Sequence, residues 1–253
     1  TAFGKDCGVD LAAGTGNSLF GEGAGADVST GEHNVAVGYH ALYQGTTETD
    51  DNVAIGYNAM SGAWTTAAVN DCVVIGSGAG AGALVAAASG LTAVGTAAGA
   101  AVTSGTKNTI VGYAAGDALT SSSYNTVLGH GALSTEVTGG TATAIGTEAL
   151  GLQNQGDGDN TENTGVGYRA GYNNVTGKSN TYLGFLAGQG ATGGSNSGNT
   201  GLGKDALLAI TDGTNNVAVG VDAGTAITTG DQNVFIGAGA GYATQDVDKA
   251  VII

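Results

Sequence analysis

Proline is absent from the 253 residues, and methionine and tryptophan occur once each. Without Pro the chain is not collagen, despite its 49 Gly, because the triple helix needs Pro and a strict three-residue period. Charge is scarce too: Asp, Glu, Lys and Arg make up 11% of the chain, against about a quarter in ordinary domains. Six residues are Lys or Arg, and the formal net charge is −15. So few cations cannot neutralise a run of phosphates, which argues against nucleic-acid binding. The same deficit opposes adhesion to anionic lipid. No apolar run is long enough to cross a membrane, so no membrane insertion is expected. Two cysteines, Cys7 and Cys72, make no disulfide framework. An initiator Met and a charged-then-apolar leader are also missing, so any targeting segment is expected outside this stretch.

What is present is a repeat. Asn34-Val35-Ala36-Val37-Gly38-Tyr39-His40-Ala41-Leu42 returns as Asn52-Val53-Ala54-Ile55-Gly56-Tyr57-Asn58-Ala59-Met60, and again from Asn216 through Gly220 to Gly224. Taking the closing Gly as position zero, the anchors run from Gly4 and Gly21 to Gly220 and Gly237, with 17 residues as the base step and longer steps as small insertions. Four residues before the anchor stands Asn, as in Asn34, Asn52, Asn108 and Asn216; Cys72, Leu91 and Ala142 are the exceptions. Three residues after it stands Ala, with Cys7 the exception. Strict order of this kind argues against the disorder that a Gly-rich acidic composition otherwise suggests.

A short β-branched run between Asn and Gly reads as a strand. One such strand per coil cannot hide an apolar face alone; stacked coils can. The expected fold is all-β: a parallel β-solenoid (β-roll or β-helix) of about 14 coils, with residues 1–253 forming one repeat solenoid that is a segment of a longer fibre protein. Asn ladders are expected to bond neighbouring backbone, and the anchor Gly to supply positive φ. Leu11, Val28, Val102, Leu119, Val137, Val175, Ile210 and Ile227 lie nine or ten residues before an anchor and read as a second, weaker strand. Positions minus three and minus one are expected to fill the coil, leaving the apolar minus-two column, Ala36 included, to face outward. A strand apolar on both faces is covered on both, and a second copy of the chain is the simplest cover.

The pattern, clearest in Asn108-Thr109-Ile110-Val111-Gly112-Tyr113-Ala114-Ala115, resembles the head repeats of trimeric autotransporter adhesins of the YadA type. It is similar also to the repeats of phage tail-fibre proteins, whose period is closer to 17 residues. The resemblance covers the whole chain. Acidic residues fall singly along the turns, so no enzymatic activity is expected, and the resemblance implies left-handed winding and a homotrimer. It implies a structural and adhesive module of a phage tail fibre or tailspike, extracellular on the virion tail. Adjoining fibre domains and a host-surface receptor, glycan or protein, would be its partners. The alternative is the head of a bacterial surface adhesin.

Candidate chemistry is thin. Asp157 and Asp159, in the longest insertion, offer oxygens to Ca²⁺, but the order of an EF-hand loop is missing and an exposed turn accounts for them. His33, His40 and His130 have no partners at zinc-ligand spacing and read as surface residues. No cofactor is expected. Cys7 and Cys72 are expected as free thiols, four coils apart. Tyr39, Tyr57, Tyr113, Tyr168 and Phe185, each just after an anchor, read as rings packed over the adjacent coil rather than a sugar-stacking stripe. Two further alternatives are a glycan depolymerase, which wants gathered carboxylates, and an ice-binding face. The latter wants a regular outward Thr array, and on the expected facing the outward column is irregular.

Overall fold

The computed structural model describes residues 1–44, 49–62, 68–85, 88–156 and 158–253. It forms two compact units, Thr1–Asn125 and Thr126–Ile253. Both are parallel β-solenoids, about 14 turns in all with a step of roughly 17 residues, and no α-helix occurs among the described residues. The first unit holds β1 (Ala2–Phe3), β2 (Ser18–Phe20), β3 (Val35–Val37), β4 (Val53–Ile55), β5 (Val73–Ile75), β6 (Thr92–Val94) and β7 (Thr109–Val111). The second holds β8 (Thr126–Leu128), β9 (Thr143–Ile145), β10 (Thr164–Val166), β11 (Thr181–Leu183), β12 (Thr200–Leu202), β13 (Val217–Val219), β14 (Val234–Ile236) and β15 (Val251–Ile252). Within each unit every strand pairs in parallel with the next, like against like: Val35 faces Val53 and Ala36 faces Ala54, as Thr164 faces Thr181 and Val166 faces Leu183.

The anchor glycines hold the coils together at close range. Gly38 sits at φ +135°, and a Cβ there would lie 2.5 Å from the carbonyl oxygen of Gly56. Both the left-handed backbone and the approach of the next coil therefore demand a residue without a side chain. The asparagines supply the second lock. Asn34 donates its backbone N–H to Asn17 Oδ1 at 2.8 Å, and its Nδ2 donates to the same oxygen at 3.1 Å and to the Thr49 carbonyl at 2.6 Å. Asn52 treats Asn34 in the same way, at 3.0 and 3.1 Å. These amides are buried, and the stack satisfies their donors and acceptors, which burial otherwise makes costly. Where Cys72 interrupts the column its N–H still donates to Asn52 Oδ1, at 3.0 Å.

Two sequence expectations are corrected. First, the strand faces the other way. The minus-two residues Leu19, Ala36, Val74, Ile110, Tyr182 and Phe235 are fully buried, while Val37, Leu128, Leu183 and Leu202 in the minus-one column are exposed. Ala36 therefore lies in the coil interior and faces no partner. A strand whose three residues are all apolar carries no alternation to reveal its inner side.

The inner side is visible instead in a volume relationship with position plus four. Gly25 accompanies Leu19, Gly188 accompanies Tyr182 and Gly241 accompanies Phe235, whereas Leu42 accompanies Ala36 and Met60 accompanies Ala54. A Cβ on Gly25, Gly188 or Gly241 would come within 2.8, 2.2 or 2.4 Å of the large partner's side chain. The two columns share one volume at the core's close-packed density.

Second, the far side of the coil is a succession of turns rather than a weaker strand. His40 and Leu42 stand at φ 51° and 52°, and Glu148 and Leu150 at 56° and 50°. Left-handed residues at plus two and plus four bend the backbone before it can extend. Val28, Val102, Leu119, Ile210 and Ile227 are buried beneath these turns. In the coils of Val137 and Val175 the preceding residues, Glu136 and Asn174, take the inner place and are buried instead.

Candidate functional site

The inverted strand puts two regular columns on the outside of each unit. Minus three reads Thr1, Ser18, Val35, Val53, Val73, Thr92, Thr109 in the first unit and Thr126, Thr143, Thr164, Thr181, Thr200, Val217, Val234 in the second. Minus one is aliphatic throughout apart from Phe3 and Phe20. Side chains two residues apart on a strand share a face, so each strand from β6 to β12 shows Thr beside Val, Ile or Leu. Rows repeat at a strand spacing of about 4.8 Å. Leu183 is 45% exposed and Leu202 41%. Neither column contains a single charged residue, on a chain of net charge −15.

The rings after the anchors pack along the stack. Tyr39 and Tyr57 lie 5.4 Å apart at 10°, and Tyr168 and Phe185 lie 5.3 Å apart at 18°. Their faces cover one another from coil to coil, the support role expected of them. His40 is stacked between Tyr39 and Tyr43, with centroids at 3.9 and 4.0 Å. Arg169 is held by Glu148 at 2.5 Å and lies over Tyr168 and Tyr172 at 5.4 and 4.9 Å.

The remaining sequence candidates are dispersed. Asp157 lies outside the described residues. Asp159 is 2.8 Å from Lys178 Nζ. Among the described residues no three His, Cys, Asp or Glu side chains gather around one point. His33 lies 3.6 Å from Asp51 at the surface. Asp10 and Asp27 approach each other on adjacent turns, and burial together with the Asp10 charge pushes the Asp27 carboxyl up. Cys7 and Cys72 are unbridged. Asn34, Gly38, Asn52, Gly56, Asn108, Gly112, Asn216 and Gly220 sit in the coil-to-coil locks already described.

Two features had no place in the sequence reading. The residue six before the anchor forms its own ladder: Asp50 Oδ1 accepts from Glu32 N–H, Asn70 Oδ1 from Asp50 N–H, and Asp231 Oδ1 from Thr214 N–H, at 2.7, 2.8 and 2.6 Å. Its members share acceptor oxygens rather than a residue type, so letter-by-letter comparison hides the column. The second feature is a polar interior in the second unit, where buried Glu136, Gln153 and Asn174 replace aliphatic side chains, with Asn163 and Asn196 buried beside them. Glu136 Oε1 accepts from the N–H groups of Val137, Thr138 and Gly139 at 3.1, 3.2 and 2.8 Å. Gln155 N–H reaches both of its oxygens, and Gln153 Nε2 donates to Oε2.

No protein-family model matches the chain, and no curated protein sequence matches it.

Proposed function

We propose that the chain is a structural and adhesive fibre module, part of a phage tail fibre or tailspike, that assembles as a homotrimer through the outer strand face. The observation that carries this reading is the charge-free apolar face on a strongly acidic chain. Elsewhere like charges push copies apart. The minus-one column offers apolar surface and the minus-three column uncharged Thr and Val, both without repulsion, and exposed apolar surface of this kind marks a contact surface. The three-fold number, the left-handed winding, the extracellular place on a virion and the host receptor rest on the resemblance of the Asn-x-x-(Ile/Val)-Gly-x-x-Ala repeat to tail-fibre proteins. The head of a bacterial surface adhesin is the same architecture in another setting. The module's work is mechanical: Asn ladders and anchor glycines make a stiff support, and the turns between repeats are free to vary for recognition.

Light scattering on the purified protein tests assembly. A mass three times that of the chain is expected, and Leu183→Asp with Leu202→Asp reduces it to one while leaving the circular dichroism unchanged. A monomeric parent protein overturns the reading.

The Thr ladder favours a second use of the same face. With minus three outside, Thr126 to Thr200 in the second unit form the regular hydroxyl-and-methyl array that ice binding wants. A monomer with thermal hysteresis that is lost on Thr164→Tyr would favour this reading over the fibre.

A further inference from the structure

In the second unit, three successive coils present Lys178-Ser179, Ser197-Gly198 and Thr214-Asn215 around an open notch of about 360 Å³. Gly198 lines the notch. Its column, five residues before the anchor, holds Ser179 at φ 59° and Asn215 at 58°, so a side chain is compatible with the backbone there. Gly198, at φ +70°, omits it, and Asn215 Oδ1 stands over the bare backbone, 2.6 Å from where a Cβ would lie. The walls are fixed by bonds between coils: Gly198 N–H to the Lys178 carbonyl and Asn215 N–H to the Ser197 carbonyl, both at 3.0 Å. Lys178 N–H donates to Ser197 Oγ at 3.0 Å. A site held this way loses little freedom when it binds.

The polar groups are of mixed sign. Ser197 Oγ accepts from Lys178 and retains its own proton to donate. Asn215 Nδ2 donates to Thr214 Oγ1 at 3.3 Å, which leaves Oδ1 to accept. Carboxylates stand around the rim: Asp159 against Lys178 Nζ, Glu162 accepting from Ser179 Oγ at 3.1 Å, and Asp231 accepting from Thr214 Oγ1 at 2.9 Å. That rim opposes an anion. The Ser197 hydroxyl as donor and Asn215 Oδ1 as acceptor, close together and with the Lys178 charge answered by Asp159, match two neighbouring hydroxyl groups of a sugar ring.

We propose that this notch binds one neutral pyranose residue of a glycan, the receptor contact within the fibre module proposed above. No aromatic ring floors it, so a single site binds weakly, with Kd on the order of 1 mM, and several copies of the chain in one assembly would raise the strength by avidity. The test is saturation-transfer NMR on the whole chain with the methyl glycosides of glucose, galactose, mannose, N-acetylglucosamine and N-acetylneuraminic acid. Gly198→Asn brings a Cβ to within 2.6 Å of Asn215 Oδ1 and so displaces the acceptor of the notch, using a residue that the same column carries at Asn215. At least one neutral glycoside is expected to bind, the variant is expected to weaken it tenfold or more, and the sialoside is expected to fail. Absence of binding by every neutral glycoside, binding of the sialoside alone, or undiminished binding by the variant overturns the proposal. The mass of the assembly, measured on the same samples, reports on the fibre reading separately.

Discussion

The ring of Tyr182 occupies the space that a side chain at Gly188 would need: a Cβ there would lie 2.2 Å from ring carbons Cδ1 and Cε1. Backbone conformation is not the reason for this glycine. Leu150 and Leu207 fill the same column at φ 50° and 53°, against +57° at Gly188. Volume is the reason. Gly188→Leu is expected to cost about 3 kcal/mol or more by overpacking. Adding Tyr182→Ala, which recreates the pairing of Ala36 with Leu42, is expected to restore part of that loss. Urea denaturation of the two variants measures both effects, and an additive double variant would show that the columns do not share one volume.

The asparagine column makes a different kind of prediction, because one amide serves three coils. Asn180 donates its N–H and Nδ2 to Asn163 Oδ1 at 2.8 and 3.1 Å, donates again to the Asn196 carbonyl at 2.8 Å, and accepts the Asn199 N–H at 2.9 Å. Asn180→Ala strands the Asn199 N–H in the interior, at a cost of about 2–4 kcal/mol. Exposed Asn160 provides the control, since Asn160→Ala should change stability by less than about 0.5 kcal/mol.

Glu136 tests the polar interior. Its carboxylate is fully buried and receives four backbone N–H groups and the Gln153 amide. Glu136→Ala leaves those donors without an acceptor, and a loss of at least about 3 kcal/mol is expected. Glu136→Gln keeps one acceptor oxygen and turns an N–H₂ toward other donors, so an intermediate loss is expected. Glu136→Leu places in the column the kind of residue that Leu119 and Ile210 supply there, without supplying any acceptor. If it proved as stable as the parent, the nest of N–H groups would count for nothing.

Periodic features were legible in the sequence, and features set by orientation were not. Asn34, Gly38 and Ala41 recur at fixed offsets, and a repeat in sequence is a repeat in structure. Which side of Val35-Ala36-Val37 faces inward does not follow from three apolar residues. The pairing of Leu19 with Gly25 and of Ala36 with Leu42 carries that information, but only when two columns are compared. The missing second strand was hidden for another reason: residues such as His40 and Leu42 give no sign in their identity of a left-handed backbone. The polar interior could have been found by register. Counted ten residues before the anchor rather than nine, Glu136 and Asn174 fall directly in the column of Leu119 and Ile210.

Cys72 provides a prediction in pH. The thiol replaces an asparagine in the buried lock, its Sγ 3.4 Å from the Asn70 carbonyl and 3.6 Å from that of Ala88. Burial pushes its pKa up to about 11, from an ordinary value of 9.0. The folded chain therefore holds the proton over a range in which the unfolded chain has released it. Stability from this group is fully present below pH 9 and is lost as pH rises toward 11, because there the unfolded state binds fewer protons than the native one. The loss amounts to about 2 kcal/mol over that window. Cys72→Ala should remove this slope from a plot of unfolding free energy against pH. For the same reason iodoacetamide at pH 8 should modify Cys72 only under denaturing conditions, since thiolate is the reactive form and the buried group is protonated. Rapid native-state alkylation at Cys72, located by mass spectrometry, would show that the lock around residues 70–72 opens readily.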